Sequence, residues 1–168
     1  GWKDIFSNAA YTKAQRDYAR AFKLSSVYTP QVIVNGTEQF VGSDENKLNA
    51  VVNKDLQQPS DVKLNITAKM MDDKEILVNY STDAANAKLK IALIQLMAEN
   101  KIKRGENTGA TLHHINIVRD IQTVAASDKG KLVLNMPGGL EAKDCRIIGF
   151  TQNVNDNKIT AAAEEEIK

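Results

Sequence analysis

The chain of 168 residues is 42% hydrophobic and 26% charged, with a net charge of +1, a balance that fits an ordinary globular protein and excludes the strong positive field of a nucleic-acid binder. Its longest apolar-rich stretch, Leu89 to Ala98, is broken by Lys90 and Gln95 and falls well short of the roughly 18 residues of a membrane span, so no membrane insertion is expected. One cysteine, Cys145, supplies neither an internal disulfide nor a four-ligand zinc site, and no cofactor or metal is expected.

The chain opens on Gly1-Trp2-Lys3-Asp4 without an initiator methionine or a signal pattern, which reads as a fragment or a processed product. Ser7 or Asn8 can cap a first helix, because their side-chain oxygens accept the orphan N–H groups of its first turn. Tyr11, Ala14, Tyr18, Ala21 and Phe22 fall on one face of that helix, which should end near Lys23. A Thr29-Pro30 step then leads into a short strand, Val32 to Val34. Proline lacks an N–H and tolerates a strand start better than a strand centre. Asn35-Gly36 favours a tight turn, since both residues accept positive φ, and Gln39 to Val41 is the return strand. Ser43 is the expected cap of a second helix, with Leu48, Val51, Val52 and Leu56 as its buried face and Asp44 and Glu45 in its first turn.

Gln57-Gln58-Pro59-Ser60 is a polar linker bearing a proline, and a domain boundary is placed there. Beyond it the period changes from helical to alternating. Val62, Leu64, Ile66, Ala68 and Met70 alternate with polar residues, as in a half-buried strand. Further strands are expected over Glu75–Tyr80, Lys88–Ala98, Leu112–Val124, Lys131–Asn135, Asp144–Asn153 and Lys158–Glu166, with Asn155-Asp156-Asn157 turning the last hairpin. Ile115, Val118, Ile121 and Val124 could equally line one side of a helix. Seven strands over residues 61–168 fit an antiparallel β-sandwich.

Three segments in the same order resemble one family. They are Gly1-Trp2-Lys3-Asp4-Ile5-Phe6-Ser7 with the later Gln15-Arg16-x-Tyr18-Ala19, then Val27-Tyr28-Thr29-Pro30-Gln31-Val32-Ile33-Val34-Asn35-Gly36 running to Phe40-Val41-Gly42-Ser43, and Arg104-Gly105-Glu106-Asn107-x-Gly109-x-Thr111-Leu112 ending at Asn116-Ile117-Val118-Arg119. Together they resemble DUF1223, a family of uncharacterised secreted thioredoxin-like proteins. The resemblance implies a bacterial protein exported to the periplasm or beyond, with a thioredoxin-like domain joined to a C-terminal β-domain. It also implies a strand and a Cys-x-x-Cys segment upstream of this chain's first residue, and a cis Thr29-Pro30 beside a peptide groove flanked by Tyr28 and Thr29.

The fold expected is therefore α+β. Residues 1–57 form the C-terminal part of a thioredoxin-like domain, as helix, strand, strand and helix, and residues 61–168 form the seven-stranded sandwich. Two strands and two helices make a poor core alone, and an unpaired sheet edge invites a partner. The expected function is a non-catalytic binding or scaffold module that takes a protein or peptide at that edge, or self-associates, through Tyr28, Thr29 and Pro30. The alternative is a thiol–disulfide oxidoreductase whose cysteines lie upstream.

Other constellations are weaker. Arg104, Glu106, Asn107 and Arg119 could form a polar site around two glycines, although the segment lacks the Lys-Ser/Thr of a phosphate loop; the competing reading is an ordered loop. His113-His114 point to opposite faces of a strand and cannot easily share one metal. Cys145 reads as a small buried hydrophobe whose thiol is held protonated by Asp144. Glu164-Glu165-Glu166 reads as a solvated chain end.

Overall fold

The computed structural model describes residues 5–102 and 108–168. In chain order they form α1 (Ala9–Ala21), β1 (Gln31–Val34), β2 (Glu38–Val41), α2 (Glu45–Leu56), β3 (Leu64–Met70), β4 (Glu75–Thr82), β5 (Ala87–Lys101), β6 (Thr111–Ala125), β7 (Lys129–Asn135), β8 (Cys145–Asn153) and β9 (Ile159–Glu165). One 3-10 turn, Ala142–Asp144, leads into β8. The class is α+β, with antiparallel strand pairing in every sheet.

Two sheets share one core. A three-stranded sheet in the order β3-β4-β7 faces a four-stranded sheet in the order β6-β5-β8-β9. Ile76, Val78 and Leu134 of the first meet Leu89, Ile91, Leu93 and Ile147 of the second, all without measurable exposure. Alternation along each strand puts these side chains inward. Gly149 on β8 leaves room for Ile66 of β3, whose Cγ2 would stand 3.4 Å from a Cβ there. The C-terminal residues bind the sheets together. Ile167 bridges Ala68 in parallel, and Met70 N–H donates to the Lys168 carbonyl at 2.8 Å. Glu164 and Glu166 are exposed, as expected of a solvated run, but they also carry ion pairs. Glu165 ends β9, and Arg146 reaches both Glu164 and Glu166.

The N-terminal segment has almost no core of its own. Among its described residues only Ala19, Gly36 and Phe40 are buried. It lies instead across the outer face of the four-stranded sheet. Tyr11 Oη donates to the Val118 carbonyl of β6 at 3.2 Å, and Gln152 Nε2 of β8 donates to Tyr18 Oη at 2.9 Å. Ile159 N–H of β9 donates to the Asn35 carbonyl at 2.8 Å. Ala92 and Ile94, which point to this outer face of β5, are correspondingly buried.

Local chemistry accounts for most element ends. Asn8 Oδ1 caps α1 by accepting from Ala10 N–H at 2.8 Å. Asp44, not Ser43, caps α2, accepting from Lys47 N–H at 3.0 Å; an ionised carboxylate is the stronger acceptor. Leu56 does not join the buried face of α2. It is 78% exposed, while Leu48, Val51 and Val52 are half-buried. Asn35 (φ 47°) and Gly36 (φ 73°) make the β1–β2 turn. A side chain on Gly36 would strike the Asn157 carbonyl oxygen at 2.0 Å, so the docked turn requires glycine.

Core and surface leucines should separate cleanly in urea unfolding. Leu93→Ala removes a fully buried side chain and is expected to cost about 2–5 kcal/mol. Leu56→Ala on α2 should change stability by less than about 0.5 kcal/mol.

Candidate functional site

The helices of the N-terminal segment take opposite faces of the β1–β2 hairpin. Alternation puts Val32 and Phe40 on one face, where Lys47 of α2 stands 5.4 Å from the Phe40 ring centroid. Gln31 and Ile33 point to the other face, toward α1. Between α1 and the hairpin lies an open cleft of about 840 Å³, lined by Phe6, Tyr11, Gln15, Thr29, Ile33 and Val118 among others. Its lining mixes apolar side chains such as Ile33 and Val118 with amides and hydroxyls such as Gln15 and Thr29.

Thr29 lines this cleft, Pro30 follows it, both are exposed, and the bond between them is cis. Tyr28 is half-buried and held at both ends. Its carbonyl accepts from Gln15 Nε2 at 3.0 Å, and its hydroxyl donates to Gln39 Oε1, which also accepts from Gln31 Nε2 at 3.1 Å. Tyr28 therefore anchors the loop, while Thr29 and Pro30 are its accessible part.

Among the described residues β1 has a single strand neighbour, β2. The Pro30 carbonyl accepts from Gly42 N–H at 2.9 Å, and residues 32 and 34 continue that ladder toward β2. Antiparallel pairing alternates, so the N–H and C=O groups of Gln31 and Ile33 point away from β2. Among the described residues no backbone group pairs with them.

Arg119 stands in the far wall of the same region. Leu93 pairs with Asp120 and Ile94 with Val118, which leaves Arg119 as the extra residue of a β-bulge on β6. The bulge re-aims its guanidinium, which donates to Gln95 Oε1 of β5 and lies 5.2 Å from the Phe6 ring centroid. Burial pushes the nearby Tyr11 hydroxyl's pKa up, Asp120 adds to the rise, and Arg119 opposes it. Arg104, Glu106 and Asn107, the residues expected to join Arg119, lie outside the described residues.

The histidines split as strand geometry requires. His113 Nδ1 is 3.1 Å from Glu99 Oε1, whereas His114 meets the Phe6 ring edge-on at 5.2 Å between centroids. Among the described residues no group of three or more His, Cys, Asp or Glu side chains is gathered as a metal site would need. Cys145 is fully buried, and burial, reinforced by Asp144 and opposed by Arg119, raises its thiol pKa. Gln15, Gln31, Gln39 and Gln152 carry much of this architecture and were not singled out as site residues from sequence. Gln15 and Tyr18 belong to the Gln15-Arg16-x-Tyr18-Ala19 segment, which was the available signal.

These elements define an α+β protein in which a helix–hairpin–helix segment lies on a two-sheet antiparallel body. A family model matches residues 1–152, and the chain belongs to DUF1223, described as a protein of unknown function. The crystal structure of a structural-genomics target from Agrobacterium tumefaciens is similar, with a TM-score of 0.63 and 23% identity over 98% of this chain and 73% of that one. At that identity the likeness shows the fold alone. A domain of the outer membrane lipoprotein Omp28 from Porphyromonas gingivalis has a TM-score of 0.40 and 10% identity, over 66% of this chain and 91% of that one. A likeness so loose carries no argument. No curated protein matches the chain in sequence. Among the described residues no helix is long and apolar enough to cross a membrane.

A buried thiol of raised pKa should be inert. Ellman's reagent at pH 8 should leave Cys145 unmodified in the native protein and titrate it fully in denaturant; rapid native labelling would contradict the burial described here.

Proposed function

We propose that this chain is an exported, thioredoxin-like binding or scaffold module without catalytic residues of its own. Residues 1–57 act as the binding domain and residues 61–168 as the supporting sandwich. Its mechanism is strand addition: an extended polypeptide segment lies against β1, bonds to Gln31 and Ile33, and places side chains in the cleft beside Thr29 and Pro30. The observation that carries this reading is the pairing state of β1. Among the described residues, a strand with one neighbour, two outward-facing residues without backbone partners, and an adjoining cleft of about 840 Å³ sits in a segment that buries only Ala19, Gly36 and Phe40. Such a segment gains more from an added layer than a closed fold does.

Thioredoxin-like ancestry and export rest on the motif resemblance around Val27 to Ser43 and are part of the same proposal. The half-domain order of helix, strand, strand and helix, with the helices on opposite faces of the hairpin, is consistent with it. A thiol–disulfide exchange step needs an accessible thiolate. Cys145 is buried, so an oxidoreductase reading would require cysteines from outside this chain.

Hydrogen exchange tests the mechanism. In the free protein the amides of Gln31 and Ile33 should exchange quickly. A panel of extended peptides with alternating apolar and polar residues should contain members that protect both. Ile33→Pro removes an edge donor without removing a β1–β2 ladder bond, because that N–H faces outward. It should weaken peptide binding by about tenfold, given a contribution near 1 kcal/mol per backbone hydrogen bond plus steric cost. If those amides are already protected in the free protein, or if bound peptides protect only residues elsewhere, strand addition at β1 is wrong.

A further inference from the structure

A second cavity lies where α1 meets the four-stranded sheet. It has a volume of about 270 Å³, and its walls include Tyr18, Lys88, Lys90, Gln152 and Asn153. Lys88 and Lys90 are two residues apart on β5, so both ammonium-bearing chains leave the same face.

Lys90 is half-buried, and its ammonium has no carboxylate within ion-pairing distance among the described residues. It is held between two rings instead, with Nζ 6.0 Å from the centroid of Tyr18 and 5.8 Å from that of Phe150. Burial lowers its pKa, Lys88 lowers it further, and Asp17 acts the other way. Asp17, the acidic group of this cavity, is already engaged. Its two oxygens are taken by Lys13 and Arg20. A half-buried cation beside a second cation is costly unless an anion offsets it.

The neutral groups of the cavity are arranged as donors. Tyr18 Oη accepts from Gln152 Nε2 at 2.9 Å, which leaves its own hydrogen unused among the described residues. Asn153 Oδ1 accepts from Asn155 N–H at 2.8 Å, which leaves the Asn153 amide hydrogens as the polar end available to the cavity. Gln152 Nε2 spends its second hydrogen on the Asn157 carbonyl at 2.8 Å and so fixes the wall.

We infer that this cavity is a binding site for a small tetrahedral dianion of the phosphate type, held by Lys88 and Lys90 with hydrogen bonds from Tyr18 and Asn153. Two ammonium groups and two neutral donors suit an anion that can carry two charges and accepts from several directions. A single carboxylate would leave one ammonium unmatched. The site is independent of strand addition at β1.

Inorganic phosphate is the probe, titrated at constant ionic strength and followed by amide and lysine-side-chain NMR, with sulfate, acetate and succinate in parallel. Phosphate and sulfate should give saturable shifts at Lys88, Lys90 and Asn153. Lys88→Gln, a change at an exposed position, and Tyr18→Phe should each weaken phosphate by about tenfold, the loss typical of one hydrogen bond to a charged group. Lys90→Met should abolish it, with circular dichroism confirming the fold; if that variant does not fold, the Lys88→Gln and Tyr18→Phe results decide. Unsaturable shifts, phosphate binding unaffected by Lys88→Gln and Tyr18→Phe, or binding of succinate in preference to phosphate would each overturn the assignment.

Discussion

The apolar layer between the two sheets is the interaction on which everything else rests. Ile76, Val78, Leu89, Ile91, Leu93, Leu134 and Ile147 are wholly removed from water, and they come from four strands of both sheets. Hydrophobic burial scales with area, so this layer is where the molecule's stability is concentrated. No residue of the N-terminal helix–hairpin–helix enters that cluster. It is joined to the body through contacts with the four-stranded sheet: Tyr11 on Val118, Tyr18 with Lys90 and Gln152, and Asn35 on Ile159.

This dependence explains where the strand edge and the two cavities lie. A segment that buries little of its own leaves an unpaired edge on β1 and a cleft beside α1. Where the same helix meets the sheet, outward side chains of β5 that would otherwise be solvated are trapped under it. Lys90 is the clearest case, with an ammonium between the Tyr18 and Phe150 rings. The β-bulge at Arg119 serves the same junction. By adding one residue to β6 it turns a guanidinium toward Phe6 and away from regular alternation.

Much of the fold was legible in the residues because local physics and the final structure agree. The strict alternation of Val62 to Met70 corresponds to β3, and the Asn35-Gly36 pair corresponds to a turn with positive φ at both positions. The helix-or-strand ambiguity of Ile115 to Ala125 was resolved by partners. Pairing with β5 draws that stretch into β6, and Ile115 ends 71% exposed opposite Met97. Of the residues singled out from sequence at the candidate site, Thr29 lines the cleft, Pro30 is exposed next to it, and Tyr28 is half-buried as the anchor of the loop. The glutamines around Tyr28 were not singled out, because only the packing of α1 and the hairpin around that loop makes them its partners.

The sequence by itself determined the order of the elements and the type of most of them, a cap at Ser7 or Asn8, the proline-led strand and the burial of Cys145, since each follows from neighbours within a few residues or from side-chain chemistry alone. Only the tertiary structure decided that Leu56 faces water, that Arg146 pairs with Glu164 and Glu166, and that Lys88 and Lys90 share a cavity with Tyr18. Those outcomes depend on which surfaces meet, and a contact between residues as distant as Tyr18 and Gln152 leaves no trace in the spacing of either.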